Sequence, residues 1–216
     1  MGKLETMTKL KANKLVLVVR GESVEEALAC SLASIEGGIK SVEVTYTNPF
    51  ASEIICQLQN RLKNASDVLI GAGTVLDEGT ARQAILAGAQ FIVAPSFNQA
   101  TAIVCNRYGI PYFPGCMTVT EIVTALESGV DMVKIFPGST VGMSFIKAIK
   151  SPLPQINVMV TGGVNLNNLK EWFAAGAEVL GIGGEFNQLA SKGQFERITE
   201  KAADYVRQCE AFRKSS

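Results

Sequence analysis

SVEVTYTNPFASEIICQLQNRLKNASDVLIGAGTVLDEGTARQAILAGAQFIVA (41–94) carries the pattern on which the fold reading turns. Three short β-branched or apolar runs, SVEVT (41–45), DVLIG (67–71) and QFIVA (90–94), are separated by helical stretches such as TARQAILAGA (80–89). Strands that read as nearly continuous apolar runs belong to a parallel sheet covered by helices. Working outward, the same alternation adds LVLVV (15–19) before this stretch and PYF (111–113), DMVKIF (131–136), NVMVT (157–161) and EVLGIG (178–183) after it. That makes eight strand–helix units starting roughly 24 residues apart, near the short limit for a (β/α)8 TIM barrel of about 200 or more residues. A doubly wound open sheet is the alternative. Eight units with no long interruption and no Pro/Ser-rich linker favour closure, with 1–216 as a single α/β domain.

Residues 3–12 predict an extra N-terminal helix placed to cover the N-terminal mouth of the barrel. SVEE (23–26) and TVTE (118–121) have the form of capping boxes, in which a Ser or Thr and a Glu three residues on satisfy each other's backbone donors.

The chain has 20 basic and 20 acidic residues among 216, so nothing in its charge balance predicts nucleic acid or a membrane surface as partner. No apolar run approaches the roughly 20 residues of a bilayer span. The start MGKLETMTKLKANK (1–14) has no apolar segment behind its charges, so no signal peptide is read and a cytoplasmic location is expected. Five cysteines without a CxxC fit buried thiols of a reducing compartment. The absence of histidine is the most restrictive observation. It removes Ser-His-Asp and Cys-His nucleophile pairs, His-based zinc sites and imidazole acid–base catalysis.

In such barrels the chemistry lies at the C-terminal ends of the strands. The polar residues there are Arg20, Glu43, Thr45, Thr74, Lys134 and Thr161, with Gly183 and Gly184 after the last strand. Strand alternation puts Glu43 with Thr45 on one face, and Lys134 with Met132 and Phe136 on one face. The second and sixth strands of eight stand opposite each other, so Glu43 and Lys134 are expected to meet in the lumen. A buried ion pair kept for structure is one reading of them. The other is a desolvated amine serving as nucleophile toward a carbonyl substrate, with Glu43 moving the protons. TGGVN (161–165) and GIGG (181–184) follow the last two strands, where glycine-rich loops bring backbone N–H groups to a phosphate or carboxylate.

These residues sit in EVTYT (43–47), GAGTV (71–75), the turn at Pro95, PYFPGCMTVTE (111–121), VKIFPG (133–138) and VTGGVNLNNLKEWFAAG (160–176). On those motifs the chain resembles the 2-keto-3-deoxy-6-phosphogluconate (KDPG) aldolase family, which includes the 4-hydroxy-2-oxoglutarate (KHG) aldolases. The resemblance implies a class I aldolase, a lyase that cleaves KDPG to pyruvate and glyceraldehyde 3-phosphate without metal or other cofactor. It implies Lys134 as the Schiff-base residue and Glu43 as the general acid/base. Thr74 and Arg20 would hold the pyruvate-derived carboxylate, and Pro95 and Phe136 would shape the pocket. Thr161, Gly162 and Gly163 would meet the distal end of the substrate. A homotrimer is implied as well.

Two departures from the family pattern stand out. Tyr46-Thr47 replace an arginine common after EVT, a role Arg20 is expected to take over, and Gly184-Glu185 replace a common serine. The phosphogalactonate epimer and unphosphorylated 4-hydroxy-2-oxoglutarate are alternative substrates. A thiamine-phosphate-synthase-like transferase is an alternative of another class, but no acidic cluster marks a metal-bound pyrophosphate. A barrel kept only as a binding module would have no use for Lys134. Cys116, just after the PG turn, is expected on the pocket wall as an unactivated thiol.

Overall fold

The computed structural model describes residues 2–215. Its strands are β1 (Leu15–Val19), β2 (Ser41–Thr45), β3 (Leu69–Gly73), β4 (Ile92–Val93), β5 (Tyr112–Phe113), β6 (Gly115–Cys116), β7 (Val133–Ile135), β8 (Val158–Thr161) and β9 (Val179–Ile182). Helix α1 (Lys3–Asn13) precedes them, and α2 (Val24–Glu36), α3 (Ala51–Arg61), α4 (Glu78–Leu86), α5 (Gln99–Arg107) and α6 (Val119–Glu127) alternate with them. The chain continues through α7 (Gly138–Lys150), α8 (Leu169–Ala174), α9 (Gly184–Ala190) and α10 (Phe195–Ser215).

All pairings are parallel, in the order β5-β4-β3-β2-β1-β9-β8-β7-β6. The two ends of that order, β5 and β6, are separated in sequence only by Pro114. They form one stave that closes the ring. The expected fifth strand, 111–113, therefore runs on to Cys116, and the proline splits it because a ring nitrogen cannot donate to a ladder. The carbonyl of Pro114 still accepts from Lys134 N at 2.8 Å, stitching the closure. The TIM barrel stands, with eight staves. The third strand is displaced by two residues from the expected 67–71 to Leu69–Gly73, because GAG is part of the strand rather than its loop.

Side chains alternate across every stave. Leu15, Leu17 and Val19 of β1, Val42 and Val44 of β2, and Val133 and Ile135 of β7 pack outward under the helices. Val16, Leu69, Phe91, Val93, Phe113, Met132, Met159 and Val179 point inward and form a second apolar cluster with Met7 and Leu10. Those last two come from α1, so the N-terminal helix does plug the lower mouth. Cys116 belongs to the outward set, buried and packed under the helices. It is not on the pocket wall as expected, because its neighbour Gly115 takes the inward position. Burial pushes the Cys116 thiol up to about 12.

Local signals act as read in one case and by half in another. Thr118 and Glu121 form a complete capping box at the start of α6. At α2, Ser23 accepts from Glu26 N at 3.1 Å, but Glu26 does not return the bond.

Candidate functional site

Above the apolar layer the same staves change character. On β7 the inward series runs Met132, Lys134, Phe136; on β8, Met159, Thr161, Gly163; on β9, Val179, Gly181, Gly183; on β1, Val16, Val18, Arg20. A two-residue step up a strand thus replaces hydrocarbon with polar or small groups.

Lys134 is 5% exposed and Glu43 1% exposed, both deep in the lumen. Room for Glu43 comes from β3, where Gly73 pairs in register with Thr45. A Cβ at Gly73 would lie 2.5 Å from the Glu43 Cδ, so glycine is required there. The expected meeting of the two charges is only partly realised. Among the described residues they form no ion pair within 4.0 Å, although the Lys134 charge is felt by Glu43. Burial holds the Glu43 carboxyl above the usual range, and Lys134 and Arg20 pull it back down. Its Oε2 is buried without a hydrogen-bond partner among the described residues. The Lys134 ammonium lies 4.9 Å from the centroid of the Phe136 ring, a cation–π distance.

A cavity of about 590 Å³ opens beside this pair. Of the expected site residues, Arg20, Phe136, Thr161, Gly162, Gly163, Gly183 and Gly184 line it. Thr161 Oγ1 is buried there without a partner. Lys134, Glu43, Thr45, Thr74 and Pro95 are not among its lining residues. Lys134 borders it through Phe136. Thr45 is fully buried and shares a hydrogen bond of 2.8 Å with Thr47 between their hydroxyls. Pro95 ends the inward series of its stave, above Val93. Thr74 sits at φ +55°, a left-handed conformation costly for a β-branched residue.

Glu185 lines the cavity, yet its carboxylate is engaged. It accepts from Lys201 Nζ at 2.7 Å and from the Tyr205 hydroxyl. Burial, followed by that bond, raises the Tyr205 pKa. Tyr205 and Asn187 also line the cavity and were not anticipated from the sequence. Tyr205 comes from α10, far along the chain, where no local pattern points back to the barrel mouth. Asn187 did have a signal, a polar side chain one helical turn after the Gly183 turn.

The arrangement is a buried amine and a carboxyl whose pKa burial raises, next to a cavity walled by Phe136 and glycine loops. Comparison with known proteins shows the family. The sequence matches the aldolase family described as "KDPG and KHG aldolase" over residues 6–201. It is 39% identical over 194 residues to the 2-dehydro-3-deoxy-phosphogluconate aldolase of Treponema pallidum, covering 88% of this chain and 90% of that one. It is 36% identical to the 2-dehydro-3-deoxy-6-phosphogalactonate aldolase of Escherichia coli, covering 89% and 93%. Among solved structures it is similar to the KDPG aldolase of Legionella pneumophila with pyruvate captured as a covalent carbinolamine, with a TM-score of 0.83, 30% identity and coverage of 90% and 95%. With the sequence motifs, the barrel and its lumen all in agreement, this chain belongs to the KDPG and KHG aldolase family.

Proposed function

We propose that the protein is a class I aldolase in which Lys134 attacks the C2 carbonyl of 2-keto-3-deoxy-6-phosphogluconate. Loss of water from the carbinolamine gives an iminium, which acts as the electron sink. Glu43 takes the proton of the C4 hydroxyl as the C3–C4 bond breaks, and glyceraldehyde 3-phosphate leaves. The same carboxyl returns a proton to C3 of the enamine, and water hydrolyses the imine to release pyruvate and free Lys134. A carboxyl whose pKa is raised by burial suits a group that both takes and gives protons near neutrality.

Arg20 and Thr74 hold the carboxylate of the pyruvate portion, and Thr45, Pro95 and Phe136 shape the pocket around it. The distal phosphate lies on the backbone of Gly162–Gly163 and Gly183–Gly184, with Thr161 beside it. Glu185 does not oppose that phosphate, since Lys201 already pairs its charge and the Tyr205 hydroxyl donates a hydrogen bond to it. The phosphogalactonate epimer is the second reading, supported by the similarity to the Escherichia coli enzyme named for it. The whole chain acts as one barrel domain, and a homotrimer is part of the same proposal. Phe50, Leu76, Met117 and Val119 are exposed apolar residues following β2, β3 and β6, suited to cover one another between copies. No helix of the described residues is long and apolar enough to cross a membrane, and the proposed location is the cytoplasm.

The observation that carries the reading is a lysine 5% exposed in the barrel lumen with no carboxylate in ion-pair contact among the described residues. Reduction by borohydride in the presence of pyruvate should leave a stable pyruvyl adduct, and peptide mapping should place it on Lys134. An adduct elsewhere, with Lys134 unmodified, would overturn the assignment.

A further inference from the structure

Arg20 follows β1 directly, and its backbone is held on both sides. Its N–H donates to Asn187 Oδ1 at 2.9 Å, and its carbonyl accepts from Asn48 Nδ2 at 3.0 Å. Each asparagine is tied in turn to the stave it comes from or faces. Asn187 Nδ2 donates to Val18 O at 2.9 Å and to Gly183 O at 2.6 Å, so one side chain joins the ends of β1 and β9. Asn48, 3% exposed, also donates to Gly21 O at 3.1 Å and accepts from Phe50 N at 2.8 Å, so it joins the β1 end to the segment after β2. The Arg20 side chain, by contrast, is exposed. Among the described residues its guanidinium has no hydrogen-bond or ion-pair partner, and it lines the cavity. A pinned backbone under an unpaired charge is how a flexible side chain is presented to a ligand at reduced entropic cost.

We propose that Asn48 and Asn187 are positioning residues that fix the Arg20 peptide so that its guanidinium meets the carboxylate of the keto acid bound at Lys134. An amide side chain suits both places because it offers a donor and an acceptor at once. At Asn187 this answers one N–H and two carbonyls; at Asn48, two carbonyls and one N–H. The proposal rests on the Schiff-base reading of the site and adds to it the device that orients the counter-charge.

The test uses pyruvate alone, so it does not depend on which sugar acid is the substrate. The rate of borohydride trapping is measured against pyruvate concentration for wild type, Asn187→Ala, Asn48→Ser, Arg20→Gln and the Arg20→Gln/Asn187→Ala double variant. Half-saturation is a ratio and is readable even where part of a preparation is unfolded. Each asparagine variant should raise half-saturating pyruvate about three- to ten-fold, the size of one net hydrogen bond lost. The limiting rate should stay within about two-fold, because the reacting groups are untouched. The double variant should match Arg20→Gln alone, since the asparagines act through the arginine. Single variants that match wild type, or effects that multiply in the double variant, would overturn the proposal while leaving wild-type trapping intact. A wild type that is not trapped at all would overturn the Schiff-base reading and this inference with it.

Discussion

The lower and upper halves of the barrel lumen are built from the same eight staves and behave in opposite ways. Below, Val16, Leu69, Phe91, Val93, Phe113, Met132, Met159 and Val179 close around Met7 and Leu10 of α1, with Phe91 and Phe113 in tilted contact at 5.9 Å. Above, two residues further along each strand, Glu43, Lys134 and Thr161 occupy equivalent inward positions, and two of them carry buried oxygens without partners. A dry layer maximises burial, whereas a buried unpaired polar group costs stability. The difference places the cost of the site in one layer and its compensation in the layer beneath, which also seals the amine from solvent at the far mouth.

If that division is correct, turning the upper layer into a copy of the lower one should destroy function and spare the fold. Lys134→Met, which repeats the residue two positions earlier on the same face, should abolish pyruvate trapping while the melting temperature stays level or rises. A clear drop in melting temperature would mean that Lys134 is a structural partner of Glu43.

Glu43→Gln sharpens the same point with a milder change. Turnover should fall about 10²- to 10⁴-fold, the usual worth of general acid–base help, with pyruvate binding largely kept. The sign of the pH effect follows from the raised carboxyl pKa. A group whose folded pKa lies above its unfolded value favours the fold below the unfolded pKa, and that contribution is lost as pH rises through the folded one. The glutamine variant should therefore gain on wild type in melting temperature as pH goes from about 4 to neutrality. A gap that is flat with pH would show that burial does not dominate at Glu43.

In the lower layer the expected outcome is reversed. Phe113→Ala should cost about 3–5 kcal/mol by denaturant unfolding, through lost burial and the cavity left behind. The activity of the molecules that remain folded should change little. A loss of turnover exceeding the loss of folded protein would show the layers to be coupled.

The smallest effect is expected at Thr74, where strain is stored beside the site. Relieving a left-handed β-branched residue with Thr74→Gly returns on the order of 1 kcal/mol, and glycine's greater unfolded-state freedom offsets part of it. The melting temperature should hold or rise slightly, and half-saturating pyruvate should increase several-fold. Unchanged pyruvate binding would remove Thr74 from the carboxylate site.

Much of this was legible in the chain because a strand's two-residue period is a local property. The parity that sends Leu17 outward sends Arg20 inward, and Met132 predicts the direction of Lys134 without any knowledge of the partner strand. The absence of histidine likewise narrows the chemistry to lysine and carboxylate from the composition alone. Cys116 obeys the same parity across the break at Pro114: Phe113 points inward, so the residue three positions on points outward. Pro114 splits the stave, Gly115 takes the inward position, and the thiol turns under the helices.

The sequence by itself determined the alternation of strands and helices, the closure into a barrel, the polar ends of the staves and the family. Those follow from periodicity and motif spacing, which neighbouring residues encode. Only the tertiary structure decided that Glu43 and Lys134 approach without forming an ion pair, that Lys201 and Tyr205 disarm Glu185, and that Asn48 and Asn187 grip one peptide from opposite sides. Each of those joins residues brought together by the ring's register, and the distances that decide between contact and near approach are set only once all eight staves have closed.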